Sequence, residues 1–488
     1  MNRLRILVTV SLFIMVVALI ISCAVNPVTG KRQLVLMSEA QEIALGASYD
    51  PQVIATFGEY ADANLESFLQ SKANEMGLIS HRPKIQYHVK VLDSPVVNAF
   101  ATPGGYIYFT RGILAQFTNE AEAMGVLGHE MGHIAARHSV SQQTKQTMGT
   151  LLVITGMIVS KEFAKYADYA MQGMQLLFLK FSRDDERQAD TLGVEYSSKI
   201  GYDAQKMADF FQVLNKMSMS ESEGGVPTFL STHPNPEDRY NYVKKDAKVW
   251  QTRLNMPSWK VNGDSYLQMI NGIVYGEDPR QGYVEGNIFY HPELKFKFSF
   301  PSGWKYENMP TQVNFAPEDQ KAMIVFTIAG QKTLQTAVDS TIKQLGLTLV
   351  SSEKKTVNGM PAIATVSKQT SQDQSTGQQQ TIMVLSYFID YGGTYYVFHG
   401  VSSDADFSTY NKLFESNMTT FNKLTDLTKI NVKPKKILVK KVERAGTLAD
   451  TFTTLGVKKG QMDELALLNE MELTDRVQAG KLIKIIGE

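Results

Sequence analysis

The chain has 488 residues, with 49 lysines and arginines set against 49 aspartates and glutamates, and a single cysteine. Balanced charge gives no global field for nucleic acid, and one cysteine cannot close an internal disulfide. Length and composition suit a soluble, multi-domain chain of about three units.

The chain begins MNRLRILVTVSLFIMVVALIISCAVNPVTG. Arg3 and Arg5 form a basic start, a long apolar stretch runs to Ile21, and Ser22-Cys23 follow, the layout of a secretory signal. The end of this stretch resembles a bacterial lipobox, in which Ile20, Ile21 and a small residue precede the cysteine that receives lipid. The expectation is a lipoprotein signal peptide over residues 1–22 and attachment to a membrane through lipidated Cys23. A retained signal-anchor helix is the alternative, because the run approaches spanning length. Either reading places the rest of the chain outside the cytoplasm. Ala24, rather than aspartate, after the cysteine favours a periplasmic face of the outer membrane in a Gram-negative cell.

Further on, VVNAFATPGGYIYFTRG (96–112) is two alternating runs joined by Pro-Gly-Gly, which predicts a β-hairpin. Next comes NEAEAMGVLGHEMGHIAARHS (119–139), with three of the eight histidines. Asn119 is placed as an N-cap with Glu122 three residues on, a capping-box arrangement, and Glu120 and Glu122 suit the helix dipole. Gly125, Gly128 and Gly132 each cost roughly 1 kcal/mol relative to alanine in a helix. Their spacings put them on one face, where they allow another backbone to come close. His129 and His133 lie four apart, one above the other, with Glu130 beside them. This H-E-x-x-H pattern offers two imidazoles to one tetrahedral metal and a carboxylate to a water at that metal.

A catalytic zinc takes three protein ligands and a water. A metzincin third histidine belongs at Ser139, so that pattern fails, and His138, one residue early, points elsewhere on the helix as a structural residue. A thermolysin-like glutamate belongs near position 155, where LLVITGMIVS has no acid. A gluzincin E-x-x-x-D is met in FSRDDERQADTLGVEYSSKIGYD (181–203): Glu186 as third ligand, and Asp190 four residues on, able to orient a ligand histidine from its far nitrogen. The apolar stretch 148–160 is too short to span a bilayer and is expected in the core or over the cleft.

H-E-x-x-H, the distant E-x-x-x-D and a later STHPNPEDRY together resemble the HtpX-like and CAAX-prenyl-protease-like zinc metallopeptidases. The likeness extends over NPVTGKRQLVLMSEAQEIALG and NAFATPGGYIYFTRGIL and so covers roughly 26–250. It implies that His233 lies near the zinc and that Arg239 supports the site. It also implies that Asn98, Ala99, Phe100 and Ala101 border the cleft as a strand on which an extended polypeptide can pair. The expected chemistry is peptide hydrolysis at one Zn2+ held by His129, His133 and Glu186. Glu130 is the general base that moves a proton from water to the leaving amine, and His233 either stabilises the oxyanion or keeps the site latent.

The expected fold class is α+β. A mostly helical metallopeptidase domain with a small β-sheet spans 23–255. A second α+β domain follows over 256–428, from strands in FKFSFPSGWKYENM, AMIVFTIAG, AIATVSKQT, TIMVLSYFI and TYYVFHGVS and helices near 334–346 and 404–422; its layout resembles the PsbP/Mog1-like sandwich. SKQTSQDQSTGQQQ is expected as a hairpin tip, and His291 and His399 as structural residues. KPKKILVKK (433–441) is expected as a solvated linker. Residues 429–488 read strand, helix, helix, strand and, through Gly446-Thr447-Leu448, Asn469 and AGKLIKI, resemble a LysM module, which implies peptidoglycan as a partner; Ala445 stands where that family has glycine. The leading reading is an endopeptidase of extracytoplasmic, misfolded envelope proteins. The alternatives are a peptidoglycan-associated hydrolase and a latent zinc-binding chaperone or scaffold.

Overall fold

Residues 23–35, 37–144, 181–220, 228–233, 239–372 and 379–488 are described by a computed structural model. The signal-like stretch, the apolar run 148–160 and the 373–378 part of the polar hairpin tip lie outside them. Among the described residues no helix is long and apolar enough to cross a membrane.

The first unit opens with a hairpin of β1 (Cys23–Val25) and β2 (Arg32–Leu34). Helix α1 (Glu39–Phe57) starts at a reciprocal Ser38–Gln41 capping box, and α2 (Ala63–Ile79) is capped by Asp62. Strands β3 (His88–Leu92), β4 (Ala99–Thr102) and β5 (Tyr106–Thr110) form one sheet in the order β3-β5-β4, with β3 parallel and β4 antiparallel to β5. The expected hairpin is therefore β4–β5, and β4 is an edge of the sheet. Gly104 turns it at φ 82°; a Cβ there would stand 2.8 Å from the Glu42 carbonyl oxygen, so the turn rests on the α1 backbone.

Helices α3 (Arg111–Gln116), α4 (Glu120–Ala136), α5 (Arg183–Lys199), α6 (Gln205–Ser220), α7 (Thr228–Thr232), α8 (Arg239–Leu254) and α9 (Gly263–Met269) complete the unit. Every residue of α4 is buried. The surrounding core continues past the boundary expected at residue 255, through Tyr266, Leu267, Ile270 and Ile273.

The middle unit has its own core, rich in phenylalanine. Its first strands are β6 (Tyr283–Glu285), β7 (Ile288–His291), β8 (Phe296–Ser299), β9 (Lys305–Asn308), β10 (Gln312–Ala316) and β11 (Ala322–Ala329). After α10 (Leu334–Gln344) come β12 (Thr348–Val357), β13 (Met360–Gln372), β14 (Gln379–Tyr391) and β15 (Thr394–Ser403), then α11 (Asp404–Met418) and β16 (Asn422–Lys423). A seven-stranded antiparallel sheet in the order β12-β13-β14-β15-β11-β10-β9 faces a four-stranded one in the order β16-β8-β7-β6. Phe296 and Phe298 of the small sheet meet Phe326 and Phe398 of the large one.

The last unit runs β17 (Lys436–Lys441), β18 (Gly446–Thr447), α12 (Leu448–Thr454), α13 (Met462–Leu468), β19 (Arg476–Val477) and β20 (Leu482–Gly487). The expected linker KPKKILVKK is mostly β17. Its Ile437 is fully buried, and its backbone exchanges hydrogen bonds with Gly272 and Ile273 as well as with β20. Ile437, Leu448, Phe452 and Ile483 belong to the first unit's core. Lys484 is wholly buried there: its Nζ donates to the carbonyl oxygens of Ala115, Gln116 and Phe117 at 2.9, 2.8 and 3.0 Å. The chain thus returns to its first unit after completing the second.

Candidate metal centre

Helix α4 begins as its sequence requires, with one change. Asn119 accepts from the Glu122 N–H at 3.1 Å, but Glu122 returns its carboxylate to the N–H and hydroxyl of Thr118, at 2.7 and 3.0 Å, and not to the Asn119 N–H. The glycine face works by close approach. A Cβ on Gly125 would stand 2.6 Å from that of Met207, and one on Gly132 would stand 3.0 Å from the Ala189 carbonyl oxygen. Gly193 of α5, opposite Gly128, completes the seam. Two helices this close carry their side chains into one small volume.

That volume holds His129, His133, Glu186 and His233, whose donor atoms all lie within 4.8 Å of one another. Nε2 of His133 is 3.0 Å from Nε2 of His129, which is 3.2 Å from Nδ1 of His233; that nitrogen is 2.9 Å from Glu186 Oε1. Glu186 Oε1 is 3.4 Å from His133 Nε2. Ligands of a tetrahedral zinc at 2.0–2.1 Å lie about 3.4 Å apart, so the spacing and the nitrogen and carboxylate donors fit that ion. All four residues are buried, and Glu186 Oε2 has no hydrogen-bond partner. Burial holds the His133 imidazole well below its ordinary pKa, in the neutral form that ligates. Burial alone would raise Glu186, but the adjacent His233 and His129 outweigh it and hold the carboxyl well below its usual range.

Asp190, called from the sequence, accepts from His129 Nδ1 at 2.8 Å. Arg239 grips the same carboxylate with Nη2 at 2.6 Å and Nε at 2.7 Å, and the Tyr242 hydroxyl also donates to it. Against its burial, Asp190 is held low by Arg239 and His129. Tyr242 went unnoticed in the sequence; its three-residue spacing from Arg239 on α8 is the one signal that could have marked it. Phe181 and Phe229 were missed too. Phe181 lies tilted against His133 and Phe229 stacks on His233, with centroids 4.1 and 4.6 Å apart.

Glu130 lies beside the cluster, fully buried, with neither carboxylate oxygen hydrogen-bonded. Burial raises its pKa against the pull of His233 and His129. Nε2 of His233, also without a partner, is 3.6 Å from Glu130 Oε1. In His233 burial is outweighed by Glu186 and Glu130, so this imidazole is raised. A buried carboxylate with unused acceptors and a raised pKa is suited to taking a proton.

His138 does not point elsewhere, as its position in a straight helix predicts. Its Nδ1 is 3.0 Å from Nδ1 of His133. Asn98, Ala99 and Phe100 are buried and Ala101 is half-buried, along or just before the edge strand β4; the Asn98 side-chain oxygen has no partner. The Phe229 N–H donates to the carbonyl of Val97, two residues before this strand, at 3.1 Å. Cys23 lies in β1, at the start of the described chain. In the middle unit His291 and His399 are isolated from the cluster, and burial pulls both to a pKa of about 4.

Residues 61–247 match the model of Peptidase family M48. The beta-barrel assembly-enhancing protease of Yersinia pestis is 26% identical over 219 residues, 43% of this chain and 45% of that one. The mitochondrial metalloendopeptidase OMA1 of Arabidopsis thaliana is 34% identical over 179 residues, 36% of this chain and 34% of that one. The matched part thus spans less than half of these relatives' own length. Among solved structures, cyanobacterial PsbP from Synechocystis sp. PCC 6803 aligns at 13% identity over 29% of this chain and 94% of its own, with a TM-score of 0.23 that carries no conclusion about fold. The stretch similar to Peptidase family M48, residues 61–247, encloses the whole cluster.

Proposed function

We propose that the chain is a zinc-dependent endopeptidase of extended polypeptides outside the cytoplasm. The observation that carries this reading is the pairing of two groups: three protein ligands at zinc spacing, His129, His133 and Glu186, and the buried, unbonded carboxylate of Glu130 beside them. Bound zinc supplies a Lewis acid for the scissile carbonyl and lowers the pKa of water towards 7. Glu130, beside the ligands with both carboxylate oxygens unbonded, would accept a proton from the attacking water and return it to the leaving amine. Asp190, clamped by Arg239 and Tyr242, keeps His129 turned with Nε2 inward. The edge strand β4, with Asn98 to Ala101, offers backbone groups to an extended substrate, a mode that reads main chain more than side chains.

A second reading, latency, is favoured by His233. Catalytic zinc keeps one position open for water and substrate, and His233 Nδ1 stands within 3.2 Å of His129 Nε2 and 2.9 Å of Glu186 Oε1, as a fourth ligand would. In this reading cleavage requires residues 228–233 to withdraw. The name of the Yersinia pestis relative accords with envelope proteins as substrates, and the signal-like start with Cys23 supports lipid attachment on the periplasmic side. The strand–helix–helix–strand tail supports, more weakly, contact with peptidoglycan.

The test is zinc content of the purified full-length protein together with cleavage of unfolded casein. The reading expects one zinc per chain, and cleavage abolished by a chelator and restored by zinc. Protein that takes up no zinc would refute it.

A further inference from the structure

His138 follows His133 by five positions. In an uninterrupted α-helix five residues leave two side chains roughly 140° apart around the axis. Arg137 removes that separation. It adopts the left-handed conformation, φ 59° and ψ 36°, and residues 138–144 resume as helix beyond it. The unusual backbone is held by its own side chain: Nε donates to Glu42 Oε2 and Nη2 to the Met37 carbonyl oxygen, both at 2.9 Å. The kink swings the His138 ring back over the last turn of α4. There Nδ1 lies 3.0 Å from His133 Nδ1, and Nε2 lies 2.9 Å from Gln188 Oε1.

With a metal on His133 Nε2 and Gln188 Oε1 facing His138, one placement of protons satisfies this chain of contacts. His133 Nε2 faces the cluster and can ligate only through its lone pair, so the neutral ring carries its proton on Nδ1. That N–H must donate to His138 Nδ1, which is therefore bare. The His138 proton is then on Nε2, where Gln188 Oε1 accepts it. The other ligand imidazole, His129, has a carboxylate at the equivalent place. The two rings are oriented by different partners: His129 directly by an anion clamped between Arg239 and Tyr242, His133 by the His138 imidazole, whose Nε2 meets Gln188 Oε1 at 2.9 Å and stands 3.5 Å from Asp185 Oδ1.

We propose that His138 is a positioning residue of the metal centre: it accepts the Nδ1–H of His133 and so fixes the tautomer and ring angle with which His133 meets the ion, with Gln188 fixing His138 in turn. This rests on the zinc reading above. Partners of this kind contribute about 10- to 100-fold in metal affinity.

The test compares full-length parent, His138→Phe, His138→Asn and Gln188→Leu. Zinc affinity is measured by chelator competition, the visible spectrum is recorded after loading with Co2+, and the metal-free melting temperature is followed. Phenylalanine keeps the buried ring and removes the acceptor, and should weaken zinc binding about 10- to 100-fold and alter the Co2+ spectrum, with the metal-free melting temperature close to the parent's. Asparagine sets a carboxamide oxygen near the lost Nδ1 and should recover most of the affinity. Gln188→Leu should fall between. A phenylalanine variant that binds zinc as tightly as the parent overturns the inference. So does equal weakening by phenylalanine and asparagine with a lowered metal-free melting temperature, which would mark a packing role. A parent that takes up no zinc overturns the proposed function and this inference together; a zinc-binding parent with an indifferent phenylalanine variant overturns this inference alone.

Discussion

Gly128 on α4 and Gly193 on α5 face each other so closely that a Cβ on Gly128 would lie 2.9 Å from the Gly193 carbonyl oxygen, and one on Gly193 would lie 2.9 Å from the His129 nitrogen. Both obstacles are backbone, which cannot rotate away. Alanine at either position should therefore push the helices apart and draw Glu186 from the histidines. Overpacking of this kind costs about 1–3 kcal/mol. Gly128→Ala should lower the melting temperature and reduce zinc bound per chain. A variant with the parent's melting temperature and zinc content would show that the seam has slack.

Lys484 ties the last unit to the turn that precedes α4. Burial pulls its pKa down to about 8 against the opposing pull of Glu470 and Glu122. Lys484→Met would leave the carbonyls of Ala115, Gln116 and Phe117 without their donor, at about 1–3 kcal/mol for each buried group left unpaired. Unfolding should move to clearly lower denaturant for the whole first unit. Removing residues 429–488 should be worse, since it uncovers the core shared with Ile437 and Phe452. A truncated chain as resistant to proteolysis as the parent would contradict this.

The middle unit should be acid-sensitive through His399. Its Nδ1 pairs with the Ser386 hydroxyl at 2.8 Å, and burial lowers the folded pKa to about 4 from the ordinary histidine value of 6.5. A depressed histidine pKa means that the unfolded chain binds the proton first. The resulting stability is fully present above pH 6.5 and is lost as pH falls towards 4, by on the order of 3 kcal/mol. His399→Gln should flatten that arm of a pH series of chemical unfolding. An unchanged acid slope would place the sensitivity elsewhere.

His233→Ala separates two roles. If His233 fills the position that substrate needs, the variant should hold zinc more weakly yet cleave casein faster than the parent. Loss of cleavage with zinc retained would return His233 to the oxyanion role that the sequence also allowed.

The H-E-x-x-H pair and the Glu186–Asp190 pair were legible because each depends on one helical period and nothing else. The glycines announced a close neighbour without naming it; Gly193, inside a charged helix, gave no sign that it was the neighbour. Tyr242 reaches Asp190 only because α8 crosses α5, a tertiary fact. His138 was misplaced because the left-handed turn at Arg137 depends on Glu42 and Met37, about a hundred residues upstream. Strand β12 went unread for another reason: TLVSSEKKTV is exposed along almost its whole length, so no hydrophobic alternation marks it. KILVKK looked like a linker because its partners, 272–274 and β20, are far away in sequence.

The most direct test of the central claim compares full-length parent with Glu130→Gln for zinc content and casein cleavage. The amide keeps the shape of the carboxylate and cannot take a proton. Both proteins should hold equal zinc, and the variant should lose about 10²- to 10⁴-fold in cleavage. Equal zinc with equal cleavage would contradict the role of Glu130 and, with it, the mechanism drawn from this cluster.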